Sequence, residues 1–87
     1  MKDIAFTPQA YADYLDWLKK DKKIFQKITS LIMETARTPE TGTGKPEALK
    51  HDLKGYWSRR ITKEHRLVYQ VTNQTITIIS CKYHYSK

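Results

Sequence analysis

The second half of the chain combines cationic and aromatic side chains at high density. Cations bind the phosphates of a nucleic acid and aromatic rings stack on its unpaired bases, so this mixture favours RNA as a ligand. The cationic and aromatic residues of this segment are Lys45, Lys50, His51, Lys54, Tyr56, Trp57, Arg59, Arg60, Lys63, His65, Arg66, Lys82, Tyr83, His84 and Tyr85.

RNA can be cut without a metal ion, because its own 2′-hydroxyl attacks the adjacent phosphorus once a base removes the proton. An acid must then protonate the leaving 5′-oxygen, and a cation must stabilise the charge that builds on the phosphate. One set of base, cation and acid in this sequence is Glu47, Arg66 and His84. Residue types alone leave the choice open, because three further side chains are equally titratable: His51, Glu64 and His65.

Metal and nucleotide chemistry are not predicted. The sequence has no Cys/His spacing typical of a zinc site, no acidic cluster suited to magnesium and no Gly-rich phosphate loop of a known pattern. We therefore expect no metal and no cofactor. Trp57 and Tyr69 are expected to pack in a sheet and Cys81 to be a small buried filler. His51 and His65 are expected to have loop or supporting roles.

The charge of the chain is typical of a protein that binds a polyanion. Sixteen Lys and Arg against nine Asp and Glu give a formal charge of +7. An anionic membrane or an acidic protein would satisfy the same charge, so composition leaves the partner open. The single cysteine, the lack of a secretory signal pattern and the lack of an apolar run near the roughly 20 residues of a membrane span predict a cytoplasmic protein.

The first half of the sequence predicts a strand and two helices. Residues 2–6 are a short strand candidate, and Thr7 and Pro8 form the N-cap and first position of a helix. The apolar spacing of this helix predicts a buried stripe made of Tyr11, Tyr14, Leu15 and Leu18. Asp21 caps a second apolar helix, which ends at Thr38 before Pro39. The short connection predicts an antiparallel helical hairpin.

The remaining sequence predicts a loop followed by strands. Residues 39–44 are a loop, and residues 46–49 are expected to form a single helical turn. Three strands are expected at 56–61, 66–72 and 75–83, joined as a meander. Eighty-seven residues form one domain, residues 1–87. The order predicts an α+β fold, with the helical hairpin packed on one face of an antiparallel sheet and the other face free for a ligand.

Side chains alternate between the two faces of a strand, so a shared site restricts the strand connections. Arg60 and Arg66 share a face if the loop between their strands is odd in length. His84 joins them only if the last hairpin contains an odd loop or a bulge. We therefore predict a three-residue or bulged connection around residues 73–74.

Four ordered blocks of the sequence closely resemble the YoeB toxins of the RelE/ParE superfamily. They are the segments at 44–51 (GKPEALKH), 55–61 (GYWSRRI), 64–69 (EHRLVY) and 82–85 (KYHY). The resemblance covers essentially the whole chain. It implies a RelE-like fold and the toxin of a type II toxin–antitoxin pair, which cleaves messenger RNA in the ribosomal A site. It also implies a YefM-like antitoxin as partner and a homodimer.

The resemblance assigns roles to individual residues. Glu47 is similar to the family's general base, Arg66 to its phosphate-stabilising cation and His84 to its general acid. Tyr85 would help to position the cleaved nucleotide.

Further basic positions are assigned to phosphate binding. Lys50 and Arg60 match basic residues of the family site, and Arg59 is expected beside them. The chain differs from the family pattern by continuing to Ser86 and Lys87 after the His-Tyr pair.

Two other functions are alternatives to RNA cleavage. A non-catalytic relative of ParE type would block DNA gyrase instead of cutting RNA. An RNA-binding module without activity would bind with strong salt dependence and leave its RNA intact.

Overall fold

The chain folds in the predicted order of one strand, two helices and a group of strands. The computed structural model describes residues 1–50 and 55–83. The elements in chain order are β1 (Asp3–Phe6), α1 (Pro8–Lys20), α2 (Lys22–Arg37), β2 (Glu47–Ala48), β3 (Tyr56–Arg60), β4 (Arg66–Val71) and β5 (Thr75–Ser80).

The strands form one mixed sheet in the order β1-β5-β4-β3-β2. β3, β4 and β5 make the predicted antiparallel meander, with Trp57 opposite Tyr69 and Gln70 opposite Thr77. β1 departs from the predicted antiparallel sheet, because it pairs in parallel with β5. Parallel neighbours need a long crossover connection, which the helices and the meander between these strands supply.

The helix boundaries follow the predicted capping residues. Thr7 Oγ1 accepts a hydrogen bond from the Ala10 backbone N–H at 3.1 Å, and Asp21 Oδ1 accepts from the N–H groups of Lys23 and Ile24 at 3.1 and 3.2 Å. These bonds satisfy donors that the first turn of each helix leaves without an intrahelical partner. Neither helix in the described part of the chain has the length and apolar character needed to span a membrane.

The helices pack on one face of the sheet, as predicted. Ile28 of α2 and Leu67 and Tyr69 of β4 are buried in one cluster, and Trp57 is packed against it. Cys81 is fully buried there as a small filler, as expected. The expected sheet-packing roles of Trp57 and Tyr69 are therefore confirmed.

The predicted buried stripe of α1 is wrong for three of its four residues, since only Tyr14 packs against the core. Tyr11, Leu15 and Leu18 are exposed, whereas Ala10 and Trp17 are buried. α1 is turned about its axis so that the Trp17 indole N–H donates to the carbonyl oxygen of Cys81 at 3.0 Å. The short Ala10 side chain permits close packing against the sheet, which an apolar count that favours long side chains does not detect.

The predicted helical turn at 46–49 is also wrong, because this segment contains the edge strand β2. Glu47 pairs with Ser58 and Ala48 with Trp57. The pairing extends on both sides, since the Leu49 N–H donates to the Tyr56 carbonyl at 2.9 Å and the Arg60 N–H donates to the Gly44 carbonyl at 2.8 Å. Backbone bonds to β3 thus take the place of the bonds of a helical turn.

Glu34 fixes the loop that leads from α2 to β2. The Thr43 backbone N–H donates to Glu34 Oε2 at 2.7 Å, and Arg59 Nη1 lies 3.6 Å from the same oxygen. These contacts, the Thr43 bond foremost, lower the pKa of the Glu34 carboxyl below its usual value. The φ angle of Gly42 is +112°, which favours glycine, and a Cβ atom there would lie 2.0 Å from Glu34 Oε2 and displace this carboxylate.

Replacing Glu34 with Gln should remove part of the acid sensitivity of the fold. Folding lowers the pKa of this carboxyl, so the ionised group stabilises the protein at pH values above its ordinary pKa of 4.5. This contribution is lost as the pH falls through the pKa of the folded state. At pH 7, Glu34→Gln should lower the melting temperature by about 5 °C. The difference should shrink between pH 5 and pH 3 in thermal melts followed by circular dichroism. Glu40→Gln, at an exposed carboxyl, should have the melting temperature of the wild type at each pH. If Glu34→Gln lowered the melting temperature equally at pH 7 and pH 3, the prediction would be contradicted.

Candidate active site

The sheet face turned away from the helices carries a row of polar side chains. Glu47 pairs with Ser58, and Arg60 pairs with Arg66. Directly paired residues share a face, as do residues two apart in one strand, so these four side chains lie on the same side. We call this side, defined by Glu47, Ser58, Arg60 and Arg66, the open face.

Arg66 is the most firmly held member of the open face. Its Nε donates a hydrogen bond to Ser58 Oγ, and Ser58 is itself buried. Its Nη2 lies 3.8 Å from Glu47 Oε1, with side-chain exposures of 17% for Arg66 and 72% for Glu47. A contact this long and this exposed is weak, so the carboxylate remains accessible to a ligand while the guanidinium is fixed.

Arg60 brings a second guanidinium to the same place. Arg60 is exposed and sits directly opposite Arg66, in the predicted register, because Ile61 closes against His65. Like charges directly opposite each other across two strands are unfavourable on their own. An anion such as a phosphate would offset that repulsion by binding both side chains. Lys50 is exposed and follows Glu47 by three residues.

His84 and Tyr85 lie outside the described residues. The last described residue is Tyr83, whose carbonyl oxygen accepts a hydrogen bond from the Arg66 backbone N–H at 3.1 Å. Tyr83, the residue directly before His84 in the sequence, is therefore bonded to the strand that carries Arg66.

The predicted three-residue or bulged connection between the last strands is wrong in its location. The Thr72 N–H donates to the Thr75 carbonyl at 2.9 Å, which closes a tight turn over residues 73–74. The irregularity lies further along, where Tyr69 pairs with Ile78 but Val68 pairs with Ser80. Because of this extra residue in β5, the side chains that follow it lie on the opposite faces from those that regular alternation would give. Ser80, which pairs with Val68, therefore lies on the open face.

Arg59 does not belong to the open face, so its expected contact with phosphate is corrected. Its side chain is fully buried, at 0% exposure, on the helix side of the sheet. Nε donates to the Tyr69 hydroxyl at 3.1 Å, Nη1 to the Thr43 carbonyl at 3.0 Å, and Nη2 to the carbonyls of Thr38 and Thr41. A guanidinium enclosed in this way holds the loop and is not available to a ligand.

Two residues lie beside the site: Ser58, which the sequence did not single out, and His65, which it expected in a loop or supporting role. Ser58 fixes Arg66, and it could be found only from the pairing of β3 with β4. His65 is buried, and its Nδ1 accepts a hydrogen bond from the Tyr83 backbone N–H at 2.7 Å. A buried imidazole bonded to the backbone fits the expected supporting role of His65, whereas His51 lies outside the described residues.

Residues 6–85 match the family model of the YoeB-like toxin of bacterial type II toxin-antitoxin systems. Toxin YoeB of Escherichia coli strain K12 is 54% identical over 82 residues, covering 94% of this chain and 98% of that protein. The YoeB dimer structure from Staphylococcus aureus is 50% identical, covers 97% of this chain and 98% of its own, and has a TM-score of 0.88. The heterotetrameric YoeB-YefM complex from the same species is 50% identical, covers 98% and 99%, and has a TM-score of 0.86. The matches confirm the resemblance and the α+β toxin fold.

The adjacent arginines 59 and 60 should respond very differently to the same substitution. Arg59→Met removes a buried cation from its acceptors and should lower the free energy of unfolding by about 3–5 kcal/mol. Arg60→Met removes an exposed side chain and should change it by no more than about 0.5 kcal/mol. Urea denaturation of both variants checks this. Equal losses of stability would show that Arg59 is not the structural member of the pair.

Proposed function

The chain belongs to the family of YoeB-like toxins of bacterial type II toxin–antitoxin systems, and from this membership we propose that it is an endoribonuclease. It cuts messenger RNA in the ribosomal A site and thereby inhibits translation in the bacterial cytoplasm. The observation that carries the proposal is the arrangement of Arg66, fixed by Ser58, beside the exposed carboxylate of Glu47.

The proposed reaction is an attack of the RNA 2′-hydroxyl on the adjacent phosphorus. Glu47 takes the proton of this hydroxyl as the general base, which its exposure on the open face permits. The bond from phosphorus to the 5′-oxygen breaks, and His84 gives its proton to that oxygen. The products are a 2′,3′-cyclic phosphate upstream, which water can hydrolyse to a 3′-phosphate in a second step, and a 5′-hydroxyl downstream, and no metal ion takes part.

The cations of the open face stabilise the transition state in this proposal. Arg66 is held before the substrate arrives, so little reorganisation is needed when negative charge builds on the phosphate oxygens. Arg60, directly opposite, contacts the same or a neighbouring phosphate, and Lys50 extends the basic surface. Tyr85 positions the cleaved nucleotide.

Two protein partners follow from the relatives. The structure from Staphylococcus aureus named a YoeB-YefM complex pairs such a toxin with an antitoxin, and another from that species is named a YoeB dimer. We propose a YefM-like antitoxin and a homodimer for this chain. Its net charge of +7 suits an acidic antitoxin as well as RNA and the ribosome.

Removing a member of the proposed set should reduce cleavage without unfolding the protein. Glu47→Ala, Arg66→Ala and His84→Ala should each slow cutting of translated messenger RNA by about 10²–10⁴-fold, the usual contribution of such groups. Primer extension on ribosome-bound messenger RNA measures the cut, with and without EDTA, which should have no effect.

Matched controls separate loss of chemistry from loss of charge. Glu40→Ala and Arg37→Ala remove exposed residues of the same types away from the open face and should cut as the wild type does. Full cleavage by all three site variants would show that the assignment is wrong. Intact messenger RNA with DNA damage would favour a gyrase inhibitor, and salt-sensitive binding without cutting would favour an RNA-binding module.

A further inference from the structure

His65 is a buried imidazole that the proposed reaction does not use. Its side chain lies between two aromatic rings, with centroid distances of 4.8 Å to Trp17, which it meets edge-on, and 5.5 Å to Tyr83. The residue is only 9% exposed. Its Nδ1 accepts the Tyr83 backbone N–H at 2.7 Å. Imidazole buried in this way supports the chain rather than meeting a substrate.

The backbone of Tyr83 has an unusual conformation. Its φ angle is +63°, in the left-handed region that residues with a side chain rarely adopt. Two hydrogen bonds hold it there, one from its N–H to His65 Nδ1 and one from the Arg66 N–H to its carbonyl oxygen. Such a conformation persists only where the surroundings determine it, and it is found most often at functional sites.

We propose that His65 is a positioning residue for the C-terminal catalytic group. By accepting the Tyr83 N–H, it holds Tyr83, the residue directly before His84 in the sequence, in the left-handed conformation. This inference rests on the proposed function, in which His84 is the general acid. Arg66, the next residue after His65, bonds the carbonyl oxygen of the same residue, so two consecutive residues hold Tyr83 directly before the proposed acid, and the second of them is also the proposed phosphate-binding cation.

The proposal specifies a state of the imidazole ring. A nitrogen that accepts a hydrogen bond carries no proton, so the ring hydrogen must reside on Nε2. The interaction is therefore that of a neutral acceptor and not of a charge. An Asn side chain can place its amide oxygen near the position of Nδ1, whereas the longer Gln side chain reaches towards the position of Nε2, and Phe keeps the ring without any acceptor.

Three substitutions of His65 test the proposal in the full chain. His65→Phe should expose the Tyr83 amide to rapid hydrogen exchange, measured by nuclear magnetic resonance, and slow single-turnover messenger RNA cleavage by about 100-fold. His65→Asn should keep the amide protected and restore most of the cleavage rate, and His65→Gln should behave as His65→Phe does. Ile28→Val, a conservative change in the core at a residue outside the hydrogen bonds and ring contacts that hold His65 and Tyr83, should lower the melting temperature and leave both measurements unchanged.

The outcomes separate this proposal from the function on which it rests. A wild type that leaves messenger RNA intact overturns the endoribonuclease and the positioning role together. A wild type that cuts, with His65→Phe cutting equally fast, overturns the positioning role alone. The same follows if folded His65→Asn is as slow as His65→Phe, because the acceptor would then be irrelevant. If His65→Phe does not fold, the comparison of His65→Asn with His65→Gln decides in the same way.

Discussion

The register of β3 against β4 determines where every charged group of the central sheet points. Ser58 lies opposite Val68 and Arg59 opposite Leu67, so consecutive side chains of β3 go to opposite faces. A slip of one residue would place the Arg59 guanidinium on the open face and bury Arg60 without its acceptors. The hydrophobic residues Leu67 and Tyr69, which must face the helices, make that slip unfavourable.

Because of this register, the buried Arg59 and the open face are mechanically connected. Arg59 holds the loop through the carbonyls of Thr38, Thr41 and Thr43, and the same loop leads through the Gly44 carbonyl to the Arg60 N–H. β2 begins three residues later with Glu47. The position of the carboxylate on the open face thus depends on a guanidinium on the other side of the sheet.

The sequence was sufficient for elements with a strong local signal. The caps at Thr7 and Asp21 and the strand-rich second half predicted the helices and the meander correctly, because capping and strand propensity depend on neighbouring residues. The family blocks supplied the fold and the family. The predicted site roles of Glu47, Arg66 and His84 stay predictions, although the structure brings the first two together.

The wrong predictions share a physical cause, which is that they concern tertiary contacts. β2 forms only because β3 offers a free edge, and no local pattern at 46–49 contains that information. The same is true of the bulge beside Val68, whose position depends on how β5 fits β4. Arg59 and Arg60 are identical in type and adjacent in sequence, and only the register distinguishes the structural residue from the exposed one.

The orientation of α1 about its axis, which the apolar spacing of the sequence did not predict, determines how the segment at Cys81 is held. It directs the Trp17 indole to the Cys81 carbonyl and the Ala10 carbonyl to the Cys81 thiol. Burial raises the pKa of that thiol to about 12, so it stays protonated and acts as packing instead of as a nucleophile. The core therefore extends to residue 81, and only Lys82 separates it from Tyr83. A chain anchored so close to Tyr83 has little conformational freedom left to lose, so the two hydrogen bonds with His65 and Arg66 are enough to hold that residue in its left-handed conformation.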